Sequence, residues 1–192
     1  MPPILFVVAG ANGSGKTTFA LKFTQKHNLV FINADEIAKS IDPNNINRAK
    51  VTAGRLFFKQ FKIQLAQYKS FIIESTLSGH YLIKYLEEAK SLGYEIHLMY
   101  LFLDDPAMNI KRVQVRVNNG GHSVPESDIV RRFYRSKQLF WKTYQKLCDK
   151  WMLLYNSDSH FEEIAFGYNK NTCENDTILN PALFNKFKGD NL

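Results

Sequence analysis

The chain has 192 residues, 45% of them hydrophobic and 22% charged, with a net charge of +7. That length and balance fit one globular domain with a sizeable core and exclude a disordered chain. No apolar run nears the ~18–20 residues of a membrane span, and Cys148 and Cys173, two cysteines without metal spacing, exclude a disulfide framework. Met1, Pro2 and Pro3 lead into an apolar run without a basic segment, so the expectation is a cytoplasmic protein with no membrane partner.

Residues 4–9 are a continuous apolar run, as in a buried parallel strand. Gly10, Ala11, Asn12, Gly13, Ser14, Gly15, Lys16 and Thr17 follow, in the pattern G-x-x-x-x-G-K-T, and Thr18 continues into a helical segment. Strand, glycine-rich turn and helix form the setting of a phosphate-binding P-loop. Glycines let backbone N–H groups wrap phosphate oxygens, and the helix N-terminus adds positive potential. Lys16 is placed to reach β- and γ-phosphates, and the Thr17 hydroxyl to bind Mg²⁺. These residues are the candidate ATP site.

A second strand over 29–32 leads to Asn33 and Asp35, a helix over 46–68 follows a turn at Asp42 and Pro43, and a third strand begins at Phe71. In the long helix Val51, Phe58 and Leu65, with Leu56 and Ile63, fall on related faces, and Gly54 hints at close packing because it costs ~1 kcal/mol against Ala. The third strand ends at Glu74, Ser75 and Thr76, and a helix over 80–92 stops at Gly93. A strand over 95–103 precedes Asp104, Asp105 and Pro106, where an N-cap is the leading reading and a metal role for Asp104 the lesser one. A helix over 108–118 breaks at Gly120 and Gly121, and one long helix is predicted over 126–150, with Pro125 at its start. Strands over 151–155 and 161–166 end the pattern, leaving a polar tail in which residues 181–187 can form a short docking helix.

Alternating strands and helices predict an α/β fold of three layers, with a mostly parallel sheet and an Arg-rich helical lid. Lys16, Asp35, Glu74, Asp104 and Asn156 all fall at C-terminal strand ends, the ligand-binding edge of such sheets. Asp35 is a candidate general base toward an acceptor hydroxyl; its plainer reading, shared with Asn33, is helix capping. Glu74 and Thr76 are candidate acceptor ligands, with Glu74 alternatively organising a metal-bound water; the plainer reading is a hydroxyl-rich turn. Arg112 and Arg116 share a helix face at i and i+4, suited to gripping phosphate with forked guanidiniums. Between Lys111 and Lys137 lie seven basic residues against two acidic ones, giving +5 of the net +7. Basic arms around Gly120 and Gly121 read as a lid that supplies Arg112, Arg116 or Arg132 to a transferring phosphoryl group; a solvated basic helix pair is the plainer reading. His122 is a candidate ligand contact or lid holder. Asn156 is a candidate contact to the adenine edge, and with Ser157 a turn is the alternative.

These motifs, in order, resemble the zeta toxin family of P-loop kinases: the loop from Gly10 to Thr17, then Asn33, Ala34 and Asp35, then Glu74, Ser75 and Thr76, then Arg112, Arg116, Gly120, Gly121, His122, Val124, Pro125 and Glu126. The resemblance runs over roughly residues 3–167 and is closest to short members often labelled ATPases. It implies a kinase domain over 1–167, with a lid at about 109–137, and a tail over 168–192. It further implies ATP and Mg²⁺ as cofactors, UDP-N-acetylglucosamine as phosphate acceptor and a small helical antitoxin as partner. By the same resemblance Lys16 is the P-loop lysine, Asp35 the base, and Glu74 and Thr76 the acceptor-binding turn. His122 falls near the family's second lid arginine. Two rivals remain on the residues alone: a kinase of another acceptor (a nucleoside, a metabolite or a nucleic-acid end, the last disfavoured because the basic residues gather at the lid), and an ATPase switch without transfer.

Overall fold

In the computed structural model, residues 1–43, 45–156, 160–169 and 176–189 are described, with the side chain of Asn47 set aside. Ser157 and Cys173 lie outside the described residues. Seven strands form one sheet in the order β2-β3-β1-β4-β5-β6-β7. The strands are β1 (Ile4–Ala9), β2 (Val30–Ile32), β3 (Phe71–Ser75), β4 (Glu95–Phe102), β5 (Lys150–Asn156), β6 (Phe161–Tyr168) and β7 (Thr177–Ile178). The first five pair in parallel; β6 and β7 add antiparallel. From β1 the chain builds one side through β2 and β3, then crosses to β4. The strand order therefore reverses beside β1, and a crevice opens beyond its carboxyl end.

The helices are α1 (Lys16–His27), α2 (Ala34–Ile41), α3 (Ile46–Gln67), α4 (Ile83–Ser91), α5 (Pro106–Asn118), α6 (Glu126–Leu139), α7 (Gln145–Leu147) and α8 (Pro181–Gly189). Alternation along β1 assigns its side chains to two layers. Leu5, Val7 and Ala9 join the larger cluster with Phe57 and Phe61 of α3, Leu86 of α4 and Phe187 of α8. Val8 joins the smaller one with Ala20 of α1, Ile72 and Leu101. This is the three-layer α/β architecture that the sequence predicts.

The sequence expectations need correction at several helices. In α3 the buried face is Ala49, Ala53, Phe57, Phe61 and Leu65, whereas Val51 and Ile63 are exposed. Leu65 belongs to both sets and Phe58 packs against the core, so the expected face holds toward the end of the helix and fails at Val51 and Ile63. A Cβ at Gly54 meets nothing within 4 Å, so that glycine marks no close contact. Residues 80–82 form a turn before α4. The predicted helix over 126–150 is interrupted: α6 ends at Leu139, a π-turn occupies Phe140–Tyr144, and α7 is a single turn. Phe140 and Tyr144 of the π-turn are both buried in the main cluster, and Phe140 meets Trp151. The C-terminal helix α8 buries Phe184 and Phe187 in the main cluster, and Phe187 meets Tyr100, Phe102 and Phe140.

Candidate active site

Local geometry at the loop follows from its glycines. Gly13 and Gly15 have φ of 80° and 91°, a region that L side chains avoid. Space excludes a side chain at both as well. A Cβ at Gly13 would lie 2.5 Å from the Asn109 carbonyl oxygen, and one at Gly15 would lie 2.2 Å from Asn156 Nδ2. Helix α1 begins at this loop with no side chain capping its first turn. Helices α2, α3 and α5 instead receive caps from Asn33, Asn45 and Asp105. The uncapped turn opens on a cleft of about 730 Å³.

Asn12, Gly13, Gly15, Lys16, Thr17 and Thr18 line one wall of that cleft. Asp35, Thr76 and His122 line another, with Lys39 and Glu36 beside them. Arg112, Arg116, Gly120 and Gly121 line it as well, and Asn156 and Phe161 border it beside Gly15. The loop residues Gly10, Ala11 and Ser14 sit behind this surface, and all three are buried. Arg132 is also off the wall: its guanidinium donates to Asn12 Oδ1 at 3.0 Å and pairs with Asp128 at 3.3 Å.

Glu74 joins the walls. Its Oε2 accepts from the Thr17 hydroxyl at 2.8 Å and from Asn33 Nδ2 at 2.7 Å. Its Oε1 lies 3.8 Å from Lys16 Nζ, which also donates to the Ala11 carbonyl at 2.8 Å. Burial pushes the Lys16 pKa down, and Glu74 and Asp35 pull part of it back. Burial likewise pushes Glu74 up, offset by Lys16 and by the Thr17 hydrogen bond. Each of the two charges thus offsets part of the burial of the other.

The capping reading of strand two belongs to Asn33, whose Oδ1 accepts from the backbone N–H groups of Asp35 and Glu36. That leaves the Asp35 carboxylate on the cleft wall, its side chain 47% exposed and 3.5 Å from His122 Nε2. Arg116 donates to the His122 carbonyl at 2.8 Å, so the lid tip is tied to α5. Burial lowers the His122 pKa, with Asp35 raising and Arg116 lowering it. Arg116 is itself lowered by burial, against the attraction of Asp35 and Glu74. Thr76 Oγ1 is within 2.9 Å of Ser78 Oγ.

Two predicted features sit elsewhere. Asp104 accepts from the Tyr155 hydroxyl and pairs with Lys186 at 3.2 Å, so it fastens α8 and is not a metal candidate beside the loop. Asp105 is the N-cap of α5. The Asn156 amide nitrogen donates to the Ser14 carbonyl at 2.9 Å. Sequence reasoning missed Asn109, fully buried in α5, which donates to the Asn12 carbonyl at 2.6 Å. The available signal was a poor helix former inside an otherwise regular helix. Among the described residues no group of three or more His, Cys, Asp or Glu is arranged to hold a metal, and no helix is long and apolar enough to cross a membrane.

Fold and cleft together define a P-loop nucleotide-binding protein of the small-kinase architecture. The Zeta toxin family profile matches residues 1–162, and the chain belongs to that family. An uncharacterized protein of Haemophilus influenzae is 38% identical over 125 residues, covering 65% of this chain and 88% of its own length. Among solved structures, AvrRxo1-ORF1:-ORF2 with ATP superposes with a TM-score of 0.77 at 16% identity, over 100% of this chain and 65% of that one. This chain therefore spans just under two thirds of that protein's length. The PezAT chromosomal toxin–antitoxin system of Streptococcus pneumoniae superposes with a TM-score of 0.62 at 17% identity, over 91% of this chain and 75% of that one. At those identities the two structures establish the shared fold.

Proposed function

We propose that the chain is an ATP-dependent kinase that transfers a γ-phosphoryl group to a hydroxyl of a nucleotide sugar such as UDP-N-acetylglucosamine. The observation that carries this reading is the two-walled cleft: a phosphate loop with Lys16 and Thr17 on one side, and a part-exposed Asp35 carboxylate with Thr76 on the other. A simple ATPase needs the first wall and has no use for the second.

The residues present fit ATP and magnesium. Two glycines have no room for side chains, the first turn of α1 is uncapped, and Lys16, Arg112 and Arg116 gather around the same space. ATP supplies the phosphoryl group there, and magnesium neutralises its charge. Lys16 holds the β- and γ-phosphate oxygens. Thr17 donates its hydroxyl hydrogen to Glu74, so its oxygen lone pairs are left for magnesium. Glu74 thereby belongs with the donor half, in its metal-organising role. Asp35 accepts the proton of the attacking hydroxyl, and Thr76 and His122 orient the acceptor. Arg112 and Arg116 stabilise the charge spread over the phosphoryl oxygens. Arg132, held on Asn12, supports the loop. Membership of the Zeta toxin family, and the toxin–antitoxin system among the similar folds, support a small helical antitoxin as partner.

Incubation with γ-labelled ATP and UDP-N-acetylglucosamine, alongside a metabolite extract, tests this. Label on the sugar nucleotide is the expected result. Label on another small molecule moves the acceptor, and free phosphate alone refutes the kinase. Arg116→Ala is expected to lose transfer with ATP binding kept, whereas Arg132→Ala weakens ATP binding.

A further inference from the structure

The P-loop is gripped from two flanks by a pair of asparagine amides. On one side Asn109, wholly buried in α5, donates Nδ2–H to the Asn12 carbonyl at 2.6 Å. On the other Asn156, at the end of β5, donates Nδ2–H to the Ser14 carbonyl at 2.9 Å. Each asparagine also stands against the next glycine of the loop. A Cβ at Gly13 would meet the backbone of Asn109, and one at Gly15 would meet the amide of Asn156.

The peptide bond turns these contacts into control of orientation. In a planar trans unit the carbonyl of one residue and the N–H of the next point in opposite directions. Pulling the Asn12 carbonyl toward α5 therefore sends the Gly13 N–H the other way. Pulling the Ser14 carbonyl toward β5 does the same for the Gly15 N–H. Gly13 and Gly15 both line the cleft. We infer that Asn109 and Asn156 are positioning residues that aim the Gly13 and Gly15 amides at the phosphates of the bound nucleotide. The inference rests on the nucleotide reading above and deepens it. It also replaces adenine recognition as the task of Asn156.

The two clamps share a helix. Asn109 lies one turn before Arg112 on α5, and Arg112 donates to the Asn156 carbonyl at 3.2 Å. Helix α5 thus touches the loop directly through Asn109 and the opposite clamp through Arg112. The helix that carries Arg112 and Arg116 is thus the one that braces both clamps.

The test compares two probes: a fluorescent ATP analogue and inorganic tripolyphosphate, which has phosphates but no base or sugar. Both are titrated against wild type, Asn109→Ala and Asn156→Ala, with thermal melts in parallel. The expected result is a loss of about tenfold for each variant, by the same factor for both probes. An Asn156→Ala protein that loses affinity for the analogue but keeps it for tripolyphosphate reads the base, and overturns the inference. Unchanged affinity for both probes with a lowered Tm shows a merely structural amide and also overturns it. If Asn109→Ala does not fold, Asn156, half-buried at a strand end, carries the same test alone. Wild type that binds neither probe refutes the nucleotide reading itself, an outcome distinct from a wild type that binds both while the variants match it.

Discussion

The phosphate loop and the lid solve opposite problems. The loop is buried and braced: Asn12, Ser14 and Lys16 are each 5% exposed or less, and two asparagines from other elements hold its carbonyls. The lid has only a small cluster of its own, Val113, Val124 and Ile129, separate from the main core. Its tip is tied by polar contacts of Arg116 and His122 over a half-exposed Asp35. Local stability follows buried apolar contact, so the loop is held more firmly than the tip beside it.

The sharpest way to break that contrast is Lys16→Ala. It is expected to lower phosphotransfer by more than about 10³-fold and to weaken ATP binding as well, since Lys16 belongs to the loop. A radiolabel transfer assay and a nucleotide titration measure the two effects. Asp35→Asn comes next. It should cost about 10²–10⁴-fold in rate, with ATP affinity kept, because the proposed function gives Asp35 to the acceptor. An Asp35→Asn protein with equally weakened ATP binding would join the halves that the geometry separates. Third, Phe187→Ala tests the scaffold under the lid arm. Deleting this buried ring should cost about 3–5 kcal/mol in urea unfolding, since it packs against Tyr100, Phe102 and Phe140.

The smallest effect is a pH slope far from the cleft. Burial holds His97 below the ordinary histidine value of 6.5, with Glu95 offsetting part of the shift. The folded chain then resists a proton that the unfolded chain accepts. This contribution is absent above about pH 6.5, and stability falls as the pH drops through that value. Melting curves of wild type and His97→Gln at neutral and mildly acid pH should show a shallower acid loss in the variant.

What sequence could reveal tracks how local each signal is. The strand, glycine spacing and lysine of the loop lie within fourteen consecutive residues, 4–17, and were legible. So were Asp35, Glu74 and Thr76, because strand ends in a parallel sheet converge on one edge. The end of α6 was not: its apolar spacing runs on through Phe140 and Tyr144, and the π-turn there packs Phe140 against Trp151, a partner on another element. Asn109 was invisible because its partner is 97 residues away in sequence. In the polar tail a short docking helix was legible over 181–187 but its seat was not: two rings at i and i+3, Phe184 and Phe187, bury α8 in the main core.

The sheet carries its shortest strands at its margins: three residues in β2 and two in β7. A margin that brief offers few unpaired backbone groups of its own, yet β7 pairs with only Ala165 and Phe166 of the eight-residue β6, so on that side the ladder edge belongs mostly to β6 itself.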